Sequence, residues 1–158
     1  VNRIRNGVDF VYPYDGRFAR VPRLWYDSVS SFNDVGVFAN ESFRGTKEED
    51  TRSFGGCIVY NRNSFFKCGG ENEKFISYSP EDWERVYRFK ELGYKVERVD
   101  GILYHIDHWC GVDSSTSNPH HDEGMIELKR IQKLKGEALR KEVNGWSWAK
   151  NEVFGLNG

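Results

Sequence analysis

The chain has 158 residues, enough for one compact domain with a buried core. Lys plus Arg number 23 and Asp plus Glu 24, for a formal net charge of −1, a balance that makes no electrostatic case for nucleic acid or an anionic membrane, where a basic stripe is expected. No apolar run approaches the roughly 20 residues of a membrane span, and the three cysteines (Cys57, Cys68, Cys110) include no CxxC pair, which argues against a disulfide framework and for a reducing compartment.

Residues 8–12 (VDFVY) read as a short strand stopped by Pro13 and the turn-like YDG. Residues 24–32 predict a short helix, and the polar stretch 33–52, with its run KEEDTR, predicts a mobile loop. FGGCIVYN (54–61) reads as a buried strand with Cys57 as a small core residue. RNSFFKCGG follows as one or two helical turns ending at Gly69.

The clearest helix start is Ser79-Pro80-Glu81-Asp82, with Ser as N-cap, Pro at the first helical position and acids in the first turn. This helix should run to about Leu92 and end at Gly93, with Trp83, Val86, Tyr87 and Lys90 on one face and Phe89 beside them. YKVERV (94–99) and GILYHI (101–106) are two further strands. The last helix carries Met125, Leu128, Ile131, Leu134, Ala138 and Leu139 at helical spacing, with Gly136 as a break point. Strands alternating with helices predict an α/β layer architecture. The few strands, and a start without Met (VNRIRNGVDF) or the apolar segment of a signal peptide, lead us to expect a piece of a longer protein.

Two clusters can carry chemistry. Glu81-Asp82 is explained on its own as a helix start whose carboxylates meet the positive end of the dipole. Adjacent acids on one helix tip cannot straddle a glycosidic bond, which excludes a glycosidase built on this pair. His105-Ile-Asp-His108 suits Mn²⁺ or Zn²⁺, yet i and i+3 of a strand face opposite ways, so both histidines can ligate only if the strand ends between them. Asn118-Pro-His-His-Asp122 reads as the start of the last helix rather than a metal site. Aromatic residues make up 15% of the chain, and their faces can stack on sugars or fill a core.

The order of these pieces is informative. The run GGCIVYNRNSFFKCGGENEKFISYSPEDWERVYRFKELGYKVERVDGILYHIDH resembles the C-terminal segment of inverting GT-A glycosyltransferases, of the galactosyltransferase type seen in bacterial family 2 and family 7-like enzymes. The shared pattern is a GG strand, F-x-x-x-x-G-(G/F)-x-x-x-x-F, an aromatic, ED-x-(D/E), an Arg, a G-(Y/F)-x-V strand and a closing His. It covers residues 54–109 closely and 8–18 and the last helix more loosely. The resemblance implies the C-terminal part of a GT-A fold, a small mixed sheet with flanking helices, forming a single domain over 1–158. It further implies that Asp82 is the base on the acceptor hydroxyl and that Glu81 binds acceptor hydroxyls. Glu84 and Arg88 are carried over as supporting, substrate-side residues of the same helix. Tyr78 becomes a sugar-stacking residue, and Gly55 and Gly56 let sugars approach the backbone. His105, with His108 as second choice, becomes a ligand of the Mn²⁺ (or Mg²⁺) that bridges the donor diphosphate, a metal expected only with the full-length protein.

Two departures qualify this. Ile76-Ser77-Tyr78-Ser79-Pro80 replaces the family's W-G-x-G, and no D-x-D follows an apolar strand. The donor-binding half is therefore expected upstream, and this chain alone is expected to be inactive. The implied partners are a nucleotide-sugar donor (UDP-hexose) and a glycan acceptor, in a cytoplasmic or membrane-peripheral protein making a bacterial surface polysaccharide. The alternatives from other classes are a non-catalytic carbohydrate-binding or interaction module and a small His-based metalloprotein.

Overall fold

The structure is a computed structural model that describes residues 1–23, 47–50 and 52–149. The chain forms two compact units, each assembled from segments far apart in sequence. The first takes Val1–Val11, Val59–Glu97 and the chain from Cys110 onward; the second takes Tyr12–Ile58 and Arg98–Trp109. The architecture is mixed α/β, with small sheets and flanking helices, as the sequence predicts.

In the first unit, strand β1 (Phe10–Tyr12) lies between β4 (Val59–Tyr60) and β5 (Val96–Arg98). Phe10 pairs with Tyr60 and Val11 with Val59, antiparallel. The central strand is buried on both faces, in keeping with its unbroken apolar run. A one-turn helix, α1 (Asn2–Arg5), leads into it. Helix α2 (Arg62–Lys67) is capped by Asn61, whose side chain accepts from the Ser64 amide at 3.1 Å, and it stops at Gly69 with φ +96°. Helix α3 (Glu81–Glu91) packs against α4 (His121–Gln132), and α5 (Gly136–Asn144) follows after the expected break. Phe10, Phe65, Phe89, Ile131 and Leu139 are buried with Cys68, and the Phe10 and Phe89 rings meet edge-on at 4.8 Å. Burial pushes the Cys68 thiol up to about 12.

In the second unit, β2 (Arg17–Val21) runs antiparallel to β3 (Lys47–Asp50) and parallel to β6 (Leu103–Ile106). The Arg98 guanidinium lies 4.3 Å from the Tyr12 ring centroid and donates to the Ser53 carbonyl at 2.7 Å.

Several expectations need correction. Lys47–Asp50, read as part of a loop, is a strand, because its backbone pairs with β2 in register Arg20↔Lys47 through Arg17↔Asp50. The helix expected at 24–32, and residues 33–46 of that loop, lie outside the described residues. The strand expected over 54–61 shrinks to Val59–Tyr60, since Gly56 takes φ +85° and the Cys57 amide turns back to the Gly55 carbonyl at 3.1 Å. Cys57 is consequently exposed, and Cys68 is the core thiol. Helix α3 starts one residue later than expected, with Pro80 in the cap position and no side-chain cap bond. Its buried side is Glu84, Arg85, Val86, Arg88 and Phe89, while Trp83, expected on one face with Val86, is 56% exposed.

Candidate functional site

Helix α3 of the first unit presents the Glu81-Asp82 pair at its tip. The loop before it is latched to the segment 113–118. Ser77, at φ +61°, donates its hydroxyl to the Asp113 carbonyl at 2.9 Å, and the Tyr78 amide donates to the same oxygen at 3.1 Å. The Asn118 side-chain amide then donates to the Tyr78 carbonyl at 2.9 Å. This leaves Ile76 and Tyr78 about half exposed beside the helix start. Gly124 of α4 makes a close approach possible, because a Cβ there would stand 1.7 Å from the Ser79 hydroxyl oxygen. Ser79 thus packs on α4 instead of capping α3, and its hydroxyl has no hydrogen-bond partner among the described residues.

The two carboxylates have different surroundings. Glu81 Oε2 is buried without a hydrogen bond among the described residues, and desolvation, followed by the neighbouring Asp82 charge, pushes its carboxyl up from the ordinary value. Glu81 lines a hollow of about 430 Å³ together with Glu71, Asn72, Glu73, Phe75 and Arg85. Asp82 Oδ1 instead accepts from Arg85 Nη1 at 2.5 Å, and Arg85 also donates through Nε to Glu71 Oε2 at 2.9 Å.

Glu84 and Arg88 are placed on the inner side of the same helix and are 1% and 0% exposed. Arg88 binds Glu84 through Nε at 2.8 Å and Nη2 at 3.1 Å, and donates to the carbonyls of Cys68 and Gly70. Burial pushes the Glu84 carboxyl up, and the guanidinium opposes that shift. In this arrangement both side chains serve the interior of the unit. The segment Asn118–Asp122 starts α4 as expected, with Asn118 Oδ1 accepting from the His120 amide at 2.8 Å.

The second unit carries the paired glycines and the histidines. Gly56 has no room for a side chain, since a Cβ would meet Leu103 Cδ2 at 2.5 Å. The Gly55 carbonyl accepts from the Tyr14 hydroxyl. Strand β6 ends at Ile106, between the two histidines, so the condition for both rings to share a side is met and their centroids stand 5.1 Å apart. His105 Nδ1 is buried without a hydrogen-bond partner among the described residues. Desolvation, with the charges of His108 and Arg20, lowers its pKa and favours the neutral ring that binds metals. No group of three His, Cys, Asp or Glu side chains close enough to hold a metal occurs among the described residues. A divalent cation here would therefore take His105, and at most His108, and draw its other ligands from elsewhere.

Three participants were missed at the level of sequence. Arg85 stands three residues after Asp82, a helical spacing that could have marked it. Glu71 and Asn118 reach their partners across 14 and 40 residues, and no local pattern signals them.

Residues 36–109 match the family model described as the N-terminal domain of galactosyltransferase. The matched stretch contains the paired glycines, Tyr78, the Glu81-Asp82 pair and both histidines, and is similar to a glycosyltransferase-type domain. Neither the comparison with curated proteins nor that with solved structures gives a match. Among the described residues no helix is long and apolar enough to cross a membrane.

Proposed function

We propose that this chain is the acceptor-side, C-terminal portion of an inverting, metal-dependent glycosyltransferase that moves a hexose from a nucleotide diphosphate, UDP-hexose, to a glycan acceptor. The observation that carries the transferase reading is the family match across residues 36–109, which takes in the helix tip where an oriented Asp82 carboxylate adjoins Glu81 Oε2, without a hydrogen-bond partner among the described residues. The C-terminal, acceptor-side placement rests instead on the order of the sequence motifs and departs from that family model's description as an N-terminal domain. The proposal places the enzyme in the cytoplasm or at a membrane surface, in bacterial polysaccharide synthesis.

The chemistry is an in-line displacement. The acceptor hydroxyl oxygen attacks the anomeric carbon, its proton passes to Asp82, and the bond to the diphosphate oxygen breaks with its electron pair leaving on the nucleotide. Glu81 accepts a hydrogen bond from a neighbouring acceptor hydroxyl, and the half-exposed Tyr78 ring offers a stacking face. Of the paired glycines, Gly55 would let a sugar approach the backbone, whereas the space beside Gly56 is taken by Leu103, so Gly56 serves the packing of its own turn. Glu84 and Arg88 act from below by fixing α3 on the Cys68–Gly70 turn, without touching substrate. Mn²⁺ or Mg²⁺, with His105 among its ligands and His108 as the second choice, would neutralise the departing diphosphate.

Asp82→Asn in the enzyme that includes the donor-binding portion tests this. The expected result is a loss of about 10²–10⁴-fold in kcat with glycan binding retained. Exposed Ile76, Tyr78 and Trp83 favour a second reading, a non-catalytic carbohydrate-binding module. Full activity in the Asn variant, or glycan binding with no transfer in the unmodified enzyme that includes the donor-binding portion, would decide for that module.

A further inference from the structure

We propose that Arg85, gripped by Glu71, is the positioning residue that sets the orientation of the Asp82 carboxylate; this rests on the transferase reading above. Arg85 is only 7% exposed, although it sits in the second turn of a helix whose tip is open. Its guanidinium uses both ends of its fork. Nε and Nη2 hold Glu71 Oε2 at 2.9 and 2.8 Å, while Nη1 holds Asp82 Oδ1 at 2.5 Å. One carboxylate oxygen of Asp82 is thereby engaged from the protein side. The Asp82 side chain remains 31% exposed, leaving its other oxygen for an acceptor hydroxyl.

The grip is anchored on fixed backbone. Glu71 directly follows Gly70, whose carbonyl Arg88 holds at 2.9 Å, so Arg85 is braced against the same turn that ties α3 down. An ordinary i,i+3 ion pair on a helix surface contributes only a few tenths of a kcal/mol and leaves its carboxylate free to rotate. Here a buried planar fork with two carboxylate partners restricts the Asp82 rotamer. Proton transfer depends steeply on that geometry. Lysine would keep the charge and lose the fork.

The test is a double-mutant cycle in the enzyme that includes the donor-binding portion, reading incorporation of labelled sugar into acceptor at saturating donor. Arg85→Ala is expected to lower kcat about 10²-fold, the scale of a misplaced catalytic group, with the donor KM unchanged. Arg85→Lys should not restore it, and Glu71→Gln, which loosens the brace but keeps Arg85, should give a smaller loss. In the Asp82→Asn background neither change should reduce kcat further, because both act through Asp82. Equal losses in the two backgrounds would overturn the proposal while leaving the transferase reading intact. An Asp82→Asn enzyme with normal kcat would remove both. Should Arg85→Ala fail to fold, the Glu71→Gln arm alone decides between the outcomes.

Discussion

Burying a carboxylate oxygen without a hydrogen bond is unfavourable, and among the described residues Glu81 Oε2 finds none, beside a second carboxylate. Its pKa is raised, so the folded protein binds this proton more tightly than the unfolded chain does. The associated stability is complete below the ordinary value of 4.5 and is lost as pH rises through the folded value. Glu81→Gln removes the desolvated charge. It should therefore melt at a higher temperature than the unmodified protein at neutral pH, with the gain vanishing as pH falls below that ordinary value. Thermal unfolding across pH checks this, and a lower melting temperature at neutral pH would mean that Glu81 has a stabilising partner after all. A gain in stability coupled to a loss of turnover is the pattern expected where a strained group is kept for its chemistry.

Helix α3 shows what a single element adds to its residues. Arg88 and Glu84 form an ion pair in the interior of the first unit, completed by the carbonyls of Cys68 and Gly70. Arg88→Met would leave Glu84 buried and unpaired, and should cost about 3–5 kcal/mol in urea unfolding. A loss below about 1 kcal/mol would place the pair among ordinary exposed ones. This knot also explains which features could be read from the sequence. The start of α3 was legible within a residue, since proline and a run of acids act locally. Its buried face was not, because Glu84 and Arg88 at i,i+4 look like a solvated pair, and the carbonyls that satisfy Arg88 lie 18 and 20 residues away. The turn at Gly55-Gly56 broke a strand that apolar content alone had predicted. At the candidate site, Glu81, Asp82, Tyr78 and the histidines were identified by resemblance to a family pattern. The Arg85–Glu71 brace and the Asn118 latch belong to this chain's own tertiary contacts, which that pattern does not encode.

At the scale of the whole molecule, the segments of the two units alternate along the chain, so the first unit is complete only once residues before Tyr12, after Ile58 and after Trp109 have come together. Cys68 is fully buried in the core of that unit, while Cys57 and Cys110 are exposed. With its thiol pushed up to about 12, Cys68 presents almost no thiolate at neutral pH even apart from its inaccessibility. A thiol reagent should modify Cys57 and Cys110 quickly and reach Cys68 only through opening of the unit, with a rate proportional to the open population. Rapid modification of Cys68 in the native protein would contradict its placement. The chain thus carries an intrinsic clock for its own opening. Arg88→Met should make that clock run faster by about 10²–10⁴-fold, the kinetic counterpart of the destabilisation it causes at equilibrium.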